Sequence, residues 1–419
     1  MNRKFIAWKW VNLIAFSMMY TTMYIGRYSF NNSLPAIALE FSFSEGIEEL
    51  LYSSVFFAYA AGCLVNGYFA DTGRPKHMIV IGAAGSVAAN IAMHFAHSWG
   101  LMLVISLFNG YMQSMVWVSG IAILVKWWRS EERGIAIGIA NLSSSFSYIV
   151  MIAASGMESG SLKDTIWGGL FFPMSFLCYS TIIFYMASRE EPGDVNLPEY
   201  EETEAVLELE GKLLAEVPRG LFHAIGYFLK NANVWRWGAI GFLSNLCRYG
   251  FLSWVPLYYS TGDSSVTLDT YTSNAGISMG MALGTLVIAF IAGKYYHDNI
   301  GVMATICAGI CAAVAIIFPV LDMSAAAISS MFFTGFFLFG INGLLWLFAM
   351  ESGTRIYAAT VTGILNCFAY VGATGERSLF SFILEAIGDW MSVFAAIDLI
   401  CVGMVLLGIF TCKWRLRNL

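Results

Sequence analysis

Two arginines stand where a charge is least welcome. Arg27, in GRYSF (Gly26–Phe30), and Arg248, in CRYGF (Cys247–Phe251), each interrupt an uncharged apolar run, and the two pentapeptides share a pattern. A guanidinium stays ionised at any relevant pH and offers a planar fork of N–H donors that fits phosphate or carboxylate oxygens. At the centre of a membrane span a charge costs about 2.5–3.5 kcal/mol on insertion scales, so it ordinarily faces a wet cavity and marks a substrate path. The nearest outer charges are Glu40 and Asp263, which leaves both arginines about 20 Å of helix from the outer end, too deep to snorkel. The alternative use is structural, tying down backbone carbonyls or a carboxylate on another helix. A matched pair argues for a shared anion.

Composition sets the elements that must hold the pair. The chain is 58% hydrophobic and only 12% charged, against about 25% charge in a soluble domain. Uncharged stretches close to the ~20 residues that cross a bilayer fall at 10–39, 50–70, 78–97, 101–125, 134–157, 166–187, 237–260, 270–292, 302–321, 325–350, 356–384 and 390–411. The expected fold is therefore an all-α membrane protein of twelve spans, with a six-helix bundle over 1–187, an acidic linker over 188–233 and a second bundle over 234–419. Of 22 lysines and arginines, only Lys163 falls in an outer loop, and only Arg27, Arg248 and Arg377 within spans, which puts both termini in the cytoplasm. The first apolar segment is too long for a signal-peptide core and reads as a retained helix. The linker carries most of the net charge of −6 and reads as cytosolic, with a helix from Thr203 to Glu216. Its acidity disfavours nucleic acid or anionic lipid as a partner.

The halves look like copies. GYFADTGRPK after span 2 (Gly67, Asp71, Gly73, Arg74, Lys76) has a weaker counterpart, GKYYHDNIG, after span 8 (Gly293, Asp298, Gly301). Parallel halves related by an axis along the membrane normal put their first helices on opposite walls of a central cavity, with Arg27 facing Arg248. The loop after span 2 resembles the signature of the major facilitator superfamily. RYSFNNSLPAI, FAYAAGCLVNGYFAD, NGYMQSMVW, KWWRSEERG, RYGFLSWVPLYY and NCFAYVGA are similar to stretches of its organophosphate:phosphate antiporter family. The resemblance implies the rocker-switch fold, a bacterial inner-membrane location, and Arg27 and Arg248 at the family's two phosphate-binding positions. It also implies departures. Cys63 and Ser144 occupy places where the glycerol-phosphate branch has a lysine and a histidine. In GATGERSLF, Arg377 takes the base position of the hexose-phosphate branch, Thr374 replaces the acid, and the carboxylate has moved to Glu376.

Adjacent helical residues point about 100° apart, so Glu376 and Arg377 cannot share one partner. Arg377 is expected as a third cation around the ligand, and Glu376 as facing a neighbouring helix or titrating; an ion pair that only fixes packing is the alternative. Tyr28, Trp117, Tyr249 and Tyr370 are candidates to stack on a ligand, and Asn141 and Ser144 to hydrogen-bond it. Asp71, with Gly67, Arg74 and Lys76, is expected to brace the inner ends of the bundles against Glu131, Glu132 and Arg133 through charge pairs and a helix-end dipole. No ATP-binding loop, metal-ligand spacing or catalytic-triad order is present, so neither an enzyme activity nor a cofactor or metal is expected. The expected activity is monomeric secondary transport of a small anionic solute, with inorganic phosphate or a proton as the coupling ion. The alternatives are a transporter-like sensor of sugar phosphate and a carrier of a carboxylate or phosphonate.

Overall fold

The computed structural model describes residues 3–157, 168–260, 270–296, 299–317, 321 and 324–411. Lys163, Asp263 and Asp298 lie outside the described residues. The apolar runs become α1 (Arg3–Glu40), α2 (Glu45–Thr72), α3 (Pro75–His94), α4 (Trp99–Trp127), α5 (Arg133–Met157) and α6 (Gly168–Ala187). After the linker come α9 (Ala232–Ser260), α10 (Thr270–Tyr295), α11 (Ile300–Ile317), α12 (Ser324–Thr374), α13 (Glu376–Ile387) and α14 (Trp390–Thr411). Local chemistry marks their starts. Glu45 and Glu48 sit in the first turn of α2, where carboxylates complement the helix dipole. Pro75 opens α3, its fixed φ suiting the first helical position. The Ser98 hydroxyl accepts the Leu101 N–H at the head of α4.

The long α12 holds two crossings. Thr354 (φ 53°, ψ −152°) and Tyr357 (φ −135°, ψ 20°) leave helical geometry and turn a corner between the limbs. Beyond Gly375 the second limb continues as α13. Counting these limbs gives the twelve crossings read from the hydropathy pattern. On length and apolar composition alone, seven stretches of described residues qualify, Ser324–Ile387 counting once.

Within the first half, α1 packs on α5 and α6, α2 on α4, and α3 on α4 and α6. In the second half, α9 packs on α12 and α14, α10 on α12, and α11 on α14. Contact between the halves runs along α2 with α12 and α5 with α10.

The linker is packed against both halves. Its helix is present as α7 (Glu204–Glu216), followed by α8 (Leu221–Phe228); both lie against α12, and α8 also against α2. The Tyr200 hydroxyl donates to the carbonyls of Val125 (2.5 Å) and Trp128 (3.0 Å). The acidic run finds cationic partners on both halves that no local pattern announces.

Candidate functional site

Arg27 of α1 and Arg248 of α9 are both buried, at 3% and 4% exposure. Arg27 donates from Nε to Gln113 Oε1 (2.7 Å) and from Nη1 to the Tyr370 hydroxyl (2.9 Å). Its guanidinium also lies 4.6 Å from the ring centres of Tyr24 and Tyr59. Arg248 sits 4.8 Å from the Tyr249 ring and 4.5 Å from that of Phe339. Neither forms an ion pair among the described residues. Nη2 of Arg27, and Nε and Nη2 of Arg248, are buried without a hydrogen-bond partner. Most buried polar groups are satisfied, and an uncompensated buried charge is the costliest exception. Free guanidinium donors of this kind can, chemically, take up the oxygens of an anion.

Against Arg248 lies a cavity lined also by Tyr20, Tyr24, Trp117, Asn141, Asn245, Asn342, Trp346, Asn366 and Tyr370. Its volume is about 10 Å³, room for about one water at most. Open space at this site is small, and the two halves pack closely around it. Tyr24 and Tyr370 join hydroxyls at 2.9 Å, linking the Arg27 cluster to this cavity. Across the halves, Asn141 donates to Thr285 Oγ1 (2.9 Å) and accepts from Asn342 (3.4 Å), and Trp117 meets Trp346 edge to face at 5.7 Å.

Of the residues singled out by sequence, Arg248, Trp117, Asn141 and Tyr370 line this cavity and Arg27 abuts it through Tyr370. Tyr249 flanks Arg248 from outside the lining. Tyr28 packs on Tyr24 at 5.6 Å, also outside it. The Ser144 hydroxyl donates to the Asn141 carbonyl (2.9 Å) within its own helix, outside the lining of this cavity. Sequence reasoning missed Tyr20, Tyr24, Tyr59, Gln113, Asn245, Asn342 and Asn366. Helical spacing was the available signal. Tyr24 and Asn245 stand three residues before the two arginines, and Asn366 and Asn342 four before Tyr370 and Trp346, which puts each pair on one helix face.

At the end of the bundle where the linker lies, Asp71 bridges the two halves. Its carboxylate accepts the N–H groups of Ala359 (3.0 Å) and Thr360 (2.6 Å) and the Thr360 hydroxyl (2.6 Å). These amides open the second limb of α12, where free N–H groups and the helix dipole favour an anion. Nearby, α2 touches α12 backbone to side-chain-less backbone: a Cβ on Gly67 would stand 2.5 Å from the Ala359 carbonyl oxygen.

A model described as Major Facilitator Superfamily matches residues 16–375. The chain belongs to the major facilitator superfamily. It is 23% identical to a Probable hexose phosphate transport protein of Chlamydia pneumoniae, over 97% of this chain and 91% of that protein. It is 26% identical to the Membrane sensor protein UhpC of Escherichia coli strain K12, over 88% of this chain and 84% of the sensor. The Glycerol-3-phosphate transporter of Haemophilus influenzae shares 23% identity over 86% of this chain and 82% of its own. These relatives fit the organophosphate:phosphate antiporter branch of the superfamily.

For a superfamily member, the partners of the signature loop depart from expectation. Asp71 binds the α12 helix end, and SEERG is engaged elsewhere. Glu132 pairs with Lys9 at 2.6 Å. Arg133, fully buried, pairs with Glu202 of the linker (2.8 Å) and Glu351 of α12 (3.4 Å), and donates to the Met350 carbonyl (3.2 Å). Arg355, at the corner of α12, pairs with linker residues Glu210 (2.7 Å) and Glu199 (2.9 Å). Lys76 reaches the Ser188 carbonyl (3.0 Å), and Arg74 is exposed. The local sequence could not show this, because the linker carboxylates that capture Arg133 and Arg355 are remote in the chain.

Arg377 stands apart from the other cations singled out by sequence. It is not in the cavity; at the far end it pairs with Glu48 of α2 (3.7 Å) and covers the Tyr52 ring at 3.8 Å. Seven residues beyond Tyr370, it lies about 10 Å further along the helix. Ser378 donates to Glu49, and Ser53 to the Thr374 carbonyl (3.4 Å), so this end too is latched across the halves. Glu376 faces α9 instead, accepting from Ser253 (3.1 Å) and the Trp254 indole (3.2 Å). A cleft of about 360 Å³ opens here among Glu45, Glu48, Glu49, Trp254 and Arg377.

Proposed function

We propose that this chain is a secondary active transporter of a phosphorylated organic anion of the sugar-phosphate class, moved by alternating access in exchange for inorganic phosphate, with the linker end facing the cytoplasm. The observation that carries the reading is the pair of buried guanidiniums, Arg27 and Arg248, with donors left unpaired and no carboxylate opposite. An anion between them relieves the cost of an uncompensated buried charge. Aromatic and amide side chains around it suit a hydroxylated ring, by stacking and by paired donor and acceptor groups. The cavity is closed, and each end carries its own latch, Asp71 with Thr360 at one and Arg377 with Glu48 at the other. Releasing them in turn gives alternating access. Occlusion without an anion leaves two charges uncompensated, so exchange is favoured over empty return. The names of the relatives support the substrate class.

The test is binding and counterflow by purified protein in liposomes loaded with phosphate. Arg27→Lys and Arg248→Lys each replace a fork by a point charge; losing one or two charge-assisted hydrogen bonds of about 1.5–3 kcal/mol predicts affinity at least ~10-fold weaker, with folding retained. Affinity within about 2-fold of the parent in either variant sinks the reading. A second reading, a membrane sensor of the same ligand, is supported by the 26% identity to UhpC. A sensor needs two conformations of different affinity but no completed cycle. Saturable binding with no counterflow from either side would select it.

A further inference from the structure

Arg27 does not stand alone in the first half. Its Nε is held by Gln113 Oε1 at 2.7 Å. The other end of that amide donates to Asn109 Oδ1 (3.0 Å) and Ser86 Oγ (3.3 Å), and Ser86 in turn donates to Asn109 Oδ1 (2.8 Å). Ser86, Asn109 and Gln113 are all at most 4% exposed. The relay crosses three helices: α3 supplies Ser86, α4 supplies Asn109 and Gln113 one turn apart, and α1 supplies the arginine. Its polarity is one-way. A guanidinium has only donors, so Gln113 must turn its oxygen to Arg27 and its NH₂ to Asn109, and the amide cannot flip without setting donor against donor.

We propose that Gln113, oriented by Asn109 and Ser86, is the positioning residue of the anion site. It aims the Arg27 fork and, because it is uncharged, leaves that arginine's full positive charge for the ligand. The inference rests on the anion-transport reading above. A carboxylate of the same shape at position 113 would hold Arg27 equally well and neutralise it, as a permanently bound anion would. Among the described residues the second half shows no such relay around Arg248, whose Nε and Nη2 lack partners there and whose guanidinium rests on the faces of Tyr249 and Phe339. The two arginines therefore differ in task. Arg27 is the preset anchor that meets the anion first, and Arg248 the adaptable group that closes on it.

The test is Gln113→Glu, with Gln113→Met as its uncharged companion, each measured for thermal unfolding without ligand and for binding of inorganic phosphate and a sugar phosphate between pH 5.5 and 8. A phosphomonoester gains its second charge near pH 6, so the parent should bind more tightly as pH rises through that value. Gln113→Glu should unfold no earlier than the parent, bind about 100-fold more weakly, and lose most of that pH dependence. Gln113→Met should keep the pH dependence and bind about 10-fold more weakly. A purely structural glutamine would shift unfolding and leave the pH profile alone. If Gln113→Glu binds within about 3-fold of the parent with an unchanged profile, the proposal fails. Should that variant not fold, Gln113→Met binding as tightly as the parent overturns it. A parent protein that binds neither anion refutes the underlying reading instead, so the two failures are distinguishable.

Discussion

Replacing Asp71 by asparagine should unlatch the linker end while leaving the anion site intact. The carboxylate accepts three hydrogen bonds, from the Ala359 and Thr360 N–H groups and the Thr360 hydroxyl, and all three donors belong to the opposite half. An ionised acceptor makes each bond worth about 1.5–3 kcal/mol, and a neutral one about 0.5–1.5 kcal/mol. Asparagine can keep two of them at the lower value and must turn its NH₂ toward the third donor, so the latch weakens by about 3.5–6 kcal/mol. At about 1.4 kcal/mol per decade, that shifts the closed-to-open ratio of this end by roughly 300- to 20,000-fold. The assay is a single cysteine placed at Asn342, in the cavity wall, and labelled by a membrane-impermeant reagent added from the linker side, alongside counterflow and phosphate affinity. Labelling should accelerate by at least about 10-fold and counterflow should slow, because a carrier that rests open to one side returns less often. Phosphate affinity should change far less, since Asp71 touches no cavity residue. Unchanged labelling in Asp71→Asn, with the protein folded, would refute the assignment of this carboxylate as the latch.

At the far end, Arg377→Ala removes a partly exposed pair worth about 0–1 kcal/mol and a stacking contact with Tyr52 of similar size. It should raise outside labelling of a cysteine at Asn245, in the cavity wall, by up to about 10-fold while ligand preference stays fixed; altered preference with unaltered labelling would return Arg377 to the binding site. In the linker, burial pushes the Glu210 carboxyl up, but the hydrogen bonds and charge of Arg355 outweigh it and hold the group below its ordinary value. A depressed carboxyl contributes stability above its unfolded pKa, near 4.3, and loses it only as pH falls through the lower folded value. Protease resistance of the linker should therefore persist from pH 8 to pH 5, and Glu210→Gln should be cut faster throughout; a loss of protection already at pH 6 would contradict the pairing.

Much of the architecture could be read from hydropathy, because a bilayer demands uncharged runs of nearly fixed length and the chain supplies them. The arginine pair was equally visible, since a lone cation in such a run has no local explanation. Less visible was anything decided by a remote partner. Gln113, Asn245, Asn342 and Asn366 blend into uncharged spans, and only their three- or four-residue spacing from Trp117, Arg248, Trp346 and Tyr370 hints at a common face. Arg377 reads as a cavity residue by analogy of position, whereas the helix carries it past Tyr370 to the far latch. The linker reads as solvated because its charges are local, while the cations that recruit it, Arg133 and Arg355, belong to different halves.

The seams between the halves have a tribological character. Where α2 meets α12, Gly67 faces the Ala359 carbonyl and Gly363 faces that of Cys63; where α5 meets α10, Gly134 lies against the Ala289 carbonyl and Gly293 against Gly134. Interdigitated side chains would have to be withdrawn from their sockets each time such a seam parted, as a cog leaves its neighbour. Bare backbone leaves nothing to withdraw. In the alternating-access cycle proposed above, these stretches of the seams part without unmeshing, and holding them shut is delegated to a few polar latches that can be released one at a time.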